Sequence, residues 1–349
     1  MTPIISTKGL TKTFHRKGGE EVVAVSDLTM DIEPGSLTAF LGPNGAGKST
    51  SLRMLTTLLP PTSGQATVCG FDITRQQADV RRSIGYIGQK NGAAQYYRVR
   101  DELVSQGAFY GLGRVERRRR ADELMEILGL TDLATRTTMT LSGGQRRRVD
   151  IALGLVPAPR LLFLDEPSTG LDPQSRSHLW DHILTLRERY GMTLLLTTHY
   201  LDEADRFAER VMIVDQGRLI ADDTSARLKA NLAGDRIVLT LRGTGPDDGA
   251  LATLRRVAAR GDDVEHAPVA VPEGPAVRYA VVVDHGDRVL PALLADLAAG
   301  GHRVVAAELH QPTLDDVFLR LTGRSLREEQ ATTGTDTPAQ PALTPGGPQ

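Results

Sequence analysis

Over the first 230 or so positions, apolar residues recur in two alternating patterns. Short unbroken runs such as Leu37-Thr38-Ala39-Phe40-Leu41, Leu161-Leu162-Phe163-Leu164 and Thr193-Leu194-Leu195-Leu196 show no polar alternation. That is the pattern of strands buried on both faces of a parallel sheet. Between such runs the spacing becomes helical. Leu52, Leu55 and Leu59 share one helix face, and Pro60-Pro61 is a stop signal. Residues 35–59 therefore read as strand, glycine loop and helix, one unit of an α/β fold. Residues 92–140 interrupt the alternation with mostly helical patterning, which predicts a helical subdomain, at about residues 90–140, inserted in the sheet domain.

Past residue 231 the pattern changes. Residues 236–241, 264–271, 276–283 and 304–309 read as strands, and residues 250–259 and 288–299 as helices. This β-α-β-β-α-β order predicts a ferredoxin-like unit. A last helix over 314–321 follows Pro312, with Leu314, Val317, Phe318 and Leu321 on one apolar stripe. The C-terminal stretch is rich in Thr, Pro, Gly and Gln and poor in apolar groups, the composition of disorder. The expected organisation is an α/β domain over 1–231, a small α+β domain over 232–323 and a disordered tail over 324–349.

Composition narrows the function. The 349 residues carry a formal net charge of −2, which argues against nucleic acid as the main partner. The single cysteine, Cys69, excludes a disulfide framework or a cysteine-based zinc cluster, and reads as a small core residue on a strand. The N-terminus lacks the basic and apolar regions of a signal peptide. No run approaches the ~18 apolar residues of a membrane helix. Residues 117–120 are all arginine, and with Glu123 four positions after Arg119 they read as a solvated, ion-paired helix face.

Two motifs bring in chemistry. Gly42-Pro43-Asn44-Gly45-Ala46-Gly47-Lys48-Ser49 follows a strand and opens a helix. Its glycines let backbone N–H groups turn toward a polyphosphate, the helix terminus adds positive potential, Lys48 can reach the β- and γ-phosphates, and Ser49 can ligate Mg²⁺; Thr50 extends the cradle. Downstream, the run 161–164 ends in Asp165-Glu166. Carboxylates at the C-terminal edge of a parallel sheet sit where open α/β folds bind ligands. Asp165 suits a Mg²⁺ ligand, and Glu166 suits the group that activates an attacking water.

A third motif, Leu141-Ser142-Gly143-Gly144-Gln145, places a hydroxyl and two glycine amides before a helix. This is the signature of ATP-binding cassettes, and the chain resembles that family over residues 4–325. The resemblance implies that Ser142, Gly143, Gly144 and Gln145 cover the γ-phosphate bound by the loop of a second copy, in a head-to-tail homodimer. It implies that Gln89 touches Mg²⁺ and links the site to the helical subdomain. His199 matches the switch histidine, residues 168–172 match the loop that crosses the dimer interface, and Phe14 matches the aromatic that stacks on adenine.

Within the family the chain is most similar to ATP-binding subunits of the daunorubicin/doxorubicin-resistance type of exporter. The stretches Arg146-Arg147-Arg148-Val149-Asp150-Ile151-Ala152, residues 197–205 and residues 311–323 carry this. Two features depart from the type: His199 stands where many members have Gln, and residues 90–99 contain Tyr96-Tyr97. The resemblance implies an ATP- and Mg²⁺-dependent ATPase at the cytoplasmic face of a bacterial plasma membrane. Its partner would be an integral membrane permease exporting a hydrophobic drug or secondary metabolite. Lipid or polysaccharide export is the alternative. A soluble cassette acting on ribosomes or DNA fits less well, because the chain has one cassette and no room for a coiled coil between Lys48 and Ser142.

Overall fold

The computed structural model describes residues 2–15, 21–90, 92–258, 264–272 and 274–326. The chain divides into two compact units, Met1–Leu228 and Lys229–Gln349. In the first, the strands are β1 (Ile5–His15), β2 (Glu21–Ile32), β3 (Leu37–Leu41), β4 (Ser63–Val68), β5 (Phe71–Asp72), β6 (Ile84–Ile87), β7 (Leu161–Asp165), β8 (Thr193–Thr198), β9 (Arg210–Asp215) and β10 (Arg218–Asp223). The helices are α1 (Lys48–Leu55), α2 (Gln77–Ser83), α3 (Val99–Phe109), α4 (Arg114–Ile127), α5 (Gly143–Leu155), α6 (Pro173–Tyr190), α7 (Leu201–Phe207) and α8 (Ser225–Leu228).

The unbroken apolar runs are the centre of this unit. A six-stranded sheet has the order β10-β9-β3-β8-β7-β6, parallel from β9 to β6. Every residue of β3, β7 and β8 is buried, which explains why none of the three alternates. Each fully buried Leu or Phe there contributes about 1.5–3 kcal/mol relative to exposure. A second sheet, β2-β1-β4-β5, is antiparallel, so β1–β2 and β4–β5 break the expected α/β alternation on either side of β3 and α1. Its inward side chains, among them Ile5, Leu10, Leu28 and Val68, join Phe40 and Phe163 in one core cluster.

Between β6 and α5 the chain forms α3, α4 and two short 3₁₀ turns, where the inserted helical segment was expected. Three local expectations change. Helix α1 ends at Leu55 rather than Leu59: Thr56 turns its hydroxyl back to Leu52 O at 2.8 Å, and Thr57 has φ +62°. Cys69 lies in the turn after β4, with φ +53° and partial burial, not on a strand. Arg119 pairs in solvent with Glu116 and Glu123, but Arg120 is buried. It donates to Tyr190 Oη at 2.8 Å and to Leu155 O at 2.9 Å, tying α4 to α6 and α5.

The second unit contains β11 (Asp235–Arg242), α9 (Asp248–Val257), β12 (Glu265–Val271), β13 (Gly274–Val283), α10 (Gly286–Ala299), β14 (Val304–His310) and α11 (Leu314–Thr322). The sheet order is β12-β13-β11-β14, and every pairing is antiparallel. One face packs Ile237, Leu239, Tyr279 and Val281 against Leu251, Leu254, Leu293 and Leu297 of α9 and α10. Within α11, Leu314, Val317 and Phe318 are buried, while Leu321 is 37% exposed. Order extends past 323: Leu326 is buried and its N–H is held by Asp315 at 2.9 Å. The rest of the expected tail lies outside the described residues.

Candidate nucleotide site

Four adjacent parallel strands deliver the site. The carboxyl end of β3 opens into the loop 42–47, β7 ends in Asp165 and Glu166, β8 leads to His199, and β6 leads to Gln89. The register sets Leu41 beside Thr198 and Asp165 beside Thr197, so these ends lie level.

The loop's shape depends on its glycines. Gly47 has φ +98°, and a Cβ there would lie 2.4 Å from Ala24 O; at Gly42 it would lie 2.1 Å from Val214 O. No side chain could be accommodated at either position without moving backbone. Asn44 and Gly45 are exposed, whereas Gly42, Pro43, Ala46, Gly47 and Lys48 are buried and Ser49 and Thr50 half-buried. Gly47 caps α1 without a side-chain acceptor, so the first N–H groups of α1 remain directed at the loop. Lys48 Nζ donates to Gly42 O at 2.7 Å and Pro43 O at 2.9 Å, and lies 3.8 Å from Glu166 Oε1. Burial pushes its ammonium below the ordinary lysine value, against the opposing pull of Glu166 and Asp165.

Asp165 and Glu166 occupy different environments. Asp165 Oδ1 accepts from Ser49 Oγ at 2.8 Å and Thr197 Oγ1 at 2.7 Å, and Oδ2 accepts from Tyr86 Oη at 3.3 Å. Glu166 has φ +47°, a conformation rare outside glycine, and its N–H is held by Thr197 O and Oγ1, both at 3.1 Å. Its Oε2 accepts from Gln89 Nε2 at 3.1 Å and Thr169 Oγ1 at 3.2 Å, and its Oε1 lies 3.3 Å from His199 Nδ1. Burial pushes the Glu166 carboxyl up, but the hydrogen bond and charge of His199, with Lys48, more than offset this and hold it below the ordinary glutamate value.

The remaining sequence candidates separate. Ser142 caps α5 in a reciprocal box: its Oγ accepts from Gln145 N at 3.3 Å, and its N–H donates to Gln145 Oε1 at 3.0 Å. Ser142 and Gly143 are exposed, with Gly144 half-buried, so the signature faces outward. Phe14 is 40% exposed on β1, opposite Val22, with Lys12 Nζ 5.3 Å from its ring centroid. Sequence reasoning missed Thr197 and Tyr86, and placed Thr169 in the interface loop without its contact to Glu166. The first had a signal, since a threonine pair directly after the three leucines of β8, beside Asp165, is out of place unless it hydrogen-bonds there.

A phosphate loop, a carboxylate pair and a histidine on neighbouring strand ends, with a capped glycine turn facing outward, define a P-loop ATPase cassette. The family model for the ABC transporter matches residues 25–169. The daunorubicin resistance ATP-binding protein DrrA2 of Streptomyces coeruleorubidus is 41% identical over 92% of this chain and 96% of its own length. The linearmycin resistance ATP-binding protein LnrL of Bacillus subtilis is 33% identical over 93% of this chain and 100% of its own. Among solved structures, the ATP-binding cassette MJ0796, a dimer bound to ADP and Pi, aligns with TM-score 0.58 and 27% identity over 63% of this chain and 98% of that one. The chain belongs to the ATP-binding subunits of ABC transporters and is an ATPase of that family.

Proposed function

We propose that this chain hydrolyses MgATP between two copies of itself and so drives a separate integral membrane permease that exports a hydrophobic drug or secondary metabolite. The observation that carries the hydrolytic part is the Glu166 carboxylate, ionised and held by Gln89, Thr169 and His199 beside Lys48. Its Oε1 lies 3.8 Å from the ammonium of Lys48, the group that reaches toward the β- and γ-phosphates. The backbone of residues 42–47 and Lys48 bind the polyphosphate. Glu166 orients a water and takes its proton, and His199 holds that carboxylate. Ser49 and Asp165 offer the hard oxygen donors Mg²⁺ prefers, already 2.8 Å apart, and Gln89 has an amide oxygen to add. When bound, Mg²⁺ neutralises charge on the β- and γ-phosphates. The exposed signature at Ser142 meets the nucleotide of the second copy, and Phe14 offers its ring to adenine.

No helix among the described residues is long and apolar enough to cross a membrane; in this reading the transport path is supplied by the permease. Exposed aromatics at Tyr96, Tyr97 and Phe109 in the helical segment suit contact with that permease on the cytoplasmic face. Relatives named for daunorubicin and linearmycin resistance, matching across both units, support a drug-like cargo. The test is co-expression with the membrane protein encoded nearest the gene, in a drug-sensitive bacterial host. The chain should co-purify with that protein in membranes, and daunorubicin efflux should disappear with Lys48→Ala. Co-purification without drug efflux would shift the cargo to lipid or polysaccharide. A chain that stays soluble, with ATP turnover indifferent to the membrane protein, would overturn the transport reading.

A further inference from the structure

Helix α5 begins at the signature, and its second turn carries two charged side chains that face inward. Arg147 is 4% exposed and Asp150 is 6% exposed. A guanidinium so buried needs compensation, and Arg147 finds it on backbone carbonyls of two different loops. Its Nε donates to Pro167 O at 2.6 Å, its Nη1 to Gly88 O at 2.7 Å and its Nη2 to Asp165 O at 3.4 Å. Asp150 Oδ2 lies 3.9 Å from Arg147 Nη1, and Asp150 Oδ1 accepts from the N–H groups of Gly92 and Ala93, each at 3.0 Å.

The positions gripped are informative. Gly88 and Gly92 lie on either side of Gln89, and Asp165 and Pro167 lie on either side of Glu166. One helical turn of α5 thus holds the chain before and after both residues, whose side chains meet at 3.1 Å. An apolar pair would attach α5 to the sheet as firmly. The guanidinium adds direction, because its planar donors fix three carbonyls relative to one another.

We propose that Arg147 and Asp150 are positioning residues that clamp Gln89 and Glu166 to the signature helix. A displacement of α5, when Ser142 engages nucleotide, is thereby delivered to the carboxylate that activates water. The clamp rests on the reading of Gln89 and Glu166 as catalytic groups given above.

The test is a double-mutant cycle on the purified full-length chain with MgATP, measuring kcat, KM, ATP affinity and thermal unfolding. Arg147→Lys keeps the charge but loses the fork. It is expected to lower kcat about tenfold, with KM and ATP affinity within about twofold. In a Gln89→Ala background, itself slow, Arg147→Lys should cost less than about twofold more, because both changes break one linkage. If Arg147→Lys does not fold, Asp150→Ala takes its place. Asp150→Asn, which keeps an acceptor for both N–H groups, should then recover most of the turnover. Losses that multiply in the double variant, with Gln89→Ala slow alone, overturn the clamp and leave the catalytic reading standing. Normal turnover of Gln89→Ala overturns that reading of Gln89, and the clamp falls with it.

Discussion

At the scale of single residues, the site gives two adjacent carboxylates different surroundings. Asp165 accepts hydroxyl hydrogen bonds from Ser49, Thr197 and Tyr86, which fix its orientation and leave it acceptor capacity for the cation proposed above. Glu166 is turned out of the strand by its positive φ and faces the cations Lys48 and, when protonated, His199. Glu166→Gln preserves the shape and the contact with Gln89 but removes the base. ATP binding should persist while turnover falls about 10²- to 10⁴-fold, checked by equilibrium binding and phosphate release on the same sample. The depressed carboxyl also sets a pH dependence. Its folded value lies below the ordinary 4.5, so the ionised form contributes stability that is present above that value. That contribution is lost as pH falls through the folded value. The melting difference between wild type and Glu166→Gln should therefore shrink once pH drops below about 4.5. A difference that grows on acidification would contradict the charge assignment.

At the scale of elements, the signature helix separates a structural role from a functional one. Ser142 is an ordinary N-cap by geometry, and losing a cap costs about 1 kcal/mol. Ser142→Asp retains a capping acceptor but places a negative charge where a γ-phosphate is expected. Thermal stability should be nearly unchanged while turnover drops at least tenfold; equal losses on both measures would reduce Ser142 to a cap. Helix α4 supplies a second case. Its arginine run read as solvated because periodicity ranks faces by hydrophobicity, and Arg120 hides its charge by pairing with Glu123 and Tyr190 of α6. Tyr190→Phe leaves Arg120 and Glu123 each short of one partner. It should cost about 1–3 kcal/mol in denaturant unfolding, with ATP affinity unchanged. These cases show which parts were legible. The buried parallel strands could be read because fully apolar runs have few other uses, and the elements over 236–321 fall within two residues of their expected bounds. The antiparallel β1–β2 sheet, the early end of α1 and the grip of Arg147 were not legible. The early end of α1 is set by a local hydroxyl bond from Thr56 to Leu52 O that apolar spacing does not encode, whereas the pairing of β1 with β4 and the grip of Arg147 on Gly88 depend on partners distant in sequence.

At the scale of the whole molecule, a single copy brings together the side chains proposed for hydrolysis yet exposes the signature proposed to finish the site. Lys48, Asp165, Glu166, Gln89 and His199 gather at adjoining strand ends, while Ser142 and Gly143 face solvent. An outward helix N-terminus with a serine and two glycines is suited to a phosphate held by something else. The solved cassette MJ0796, 27% identical, is a dimer. If two copies complete each other's sites, damage in trans should complement. In a mixed dimer of Ser142→Arg and Lys48→Ala chains, one site combines an intact loop with an intact signature, and the other combines both lesions. Each parent homodimer has two sites with one lesion each. Random pairing at equal amounts makes half the dimers mixed, and each of these carries one sound site of two. Turnover should therefore recover to about a quarter of the wild-type value per chain if sites act independently, above both parents. Co-expression of the two variants and a phosphate-release assay on the unselected mixture would measure this directly; tandem purification on two different affinity tags would isolate the mixed dimers and raise the expected value to about half. Sites built within one chain predict the opposite: each chain of the mixed dimer keeps its own lesion, and turnover stays at the parental level.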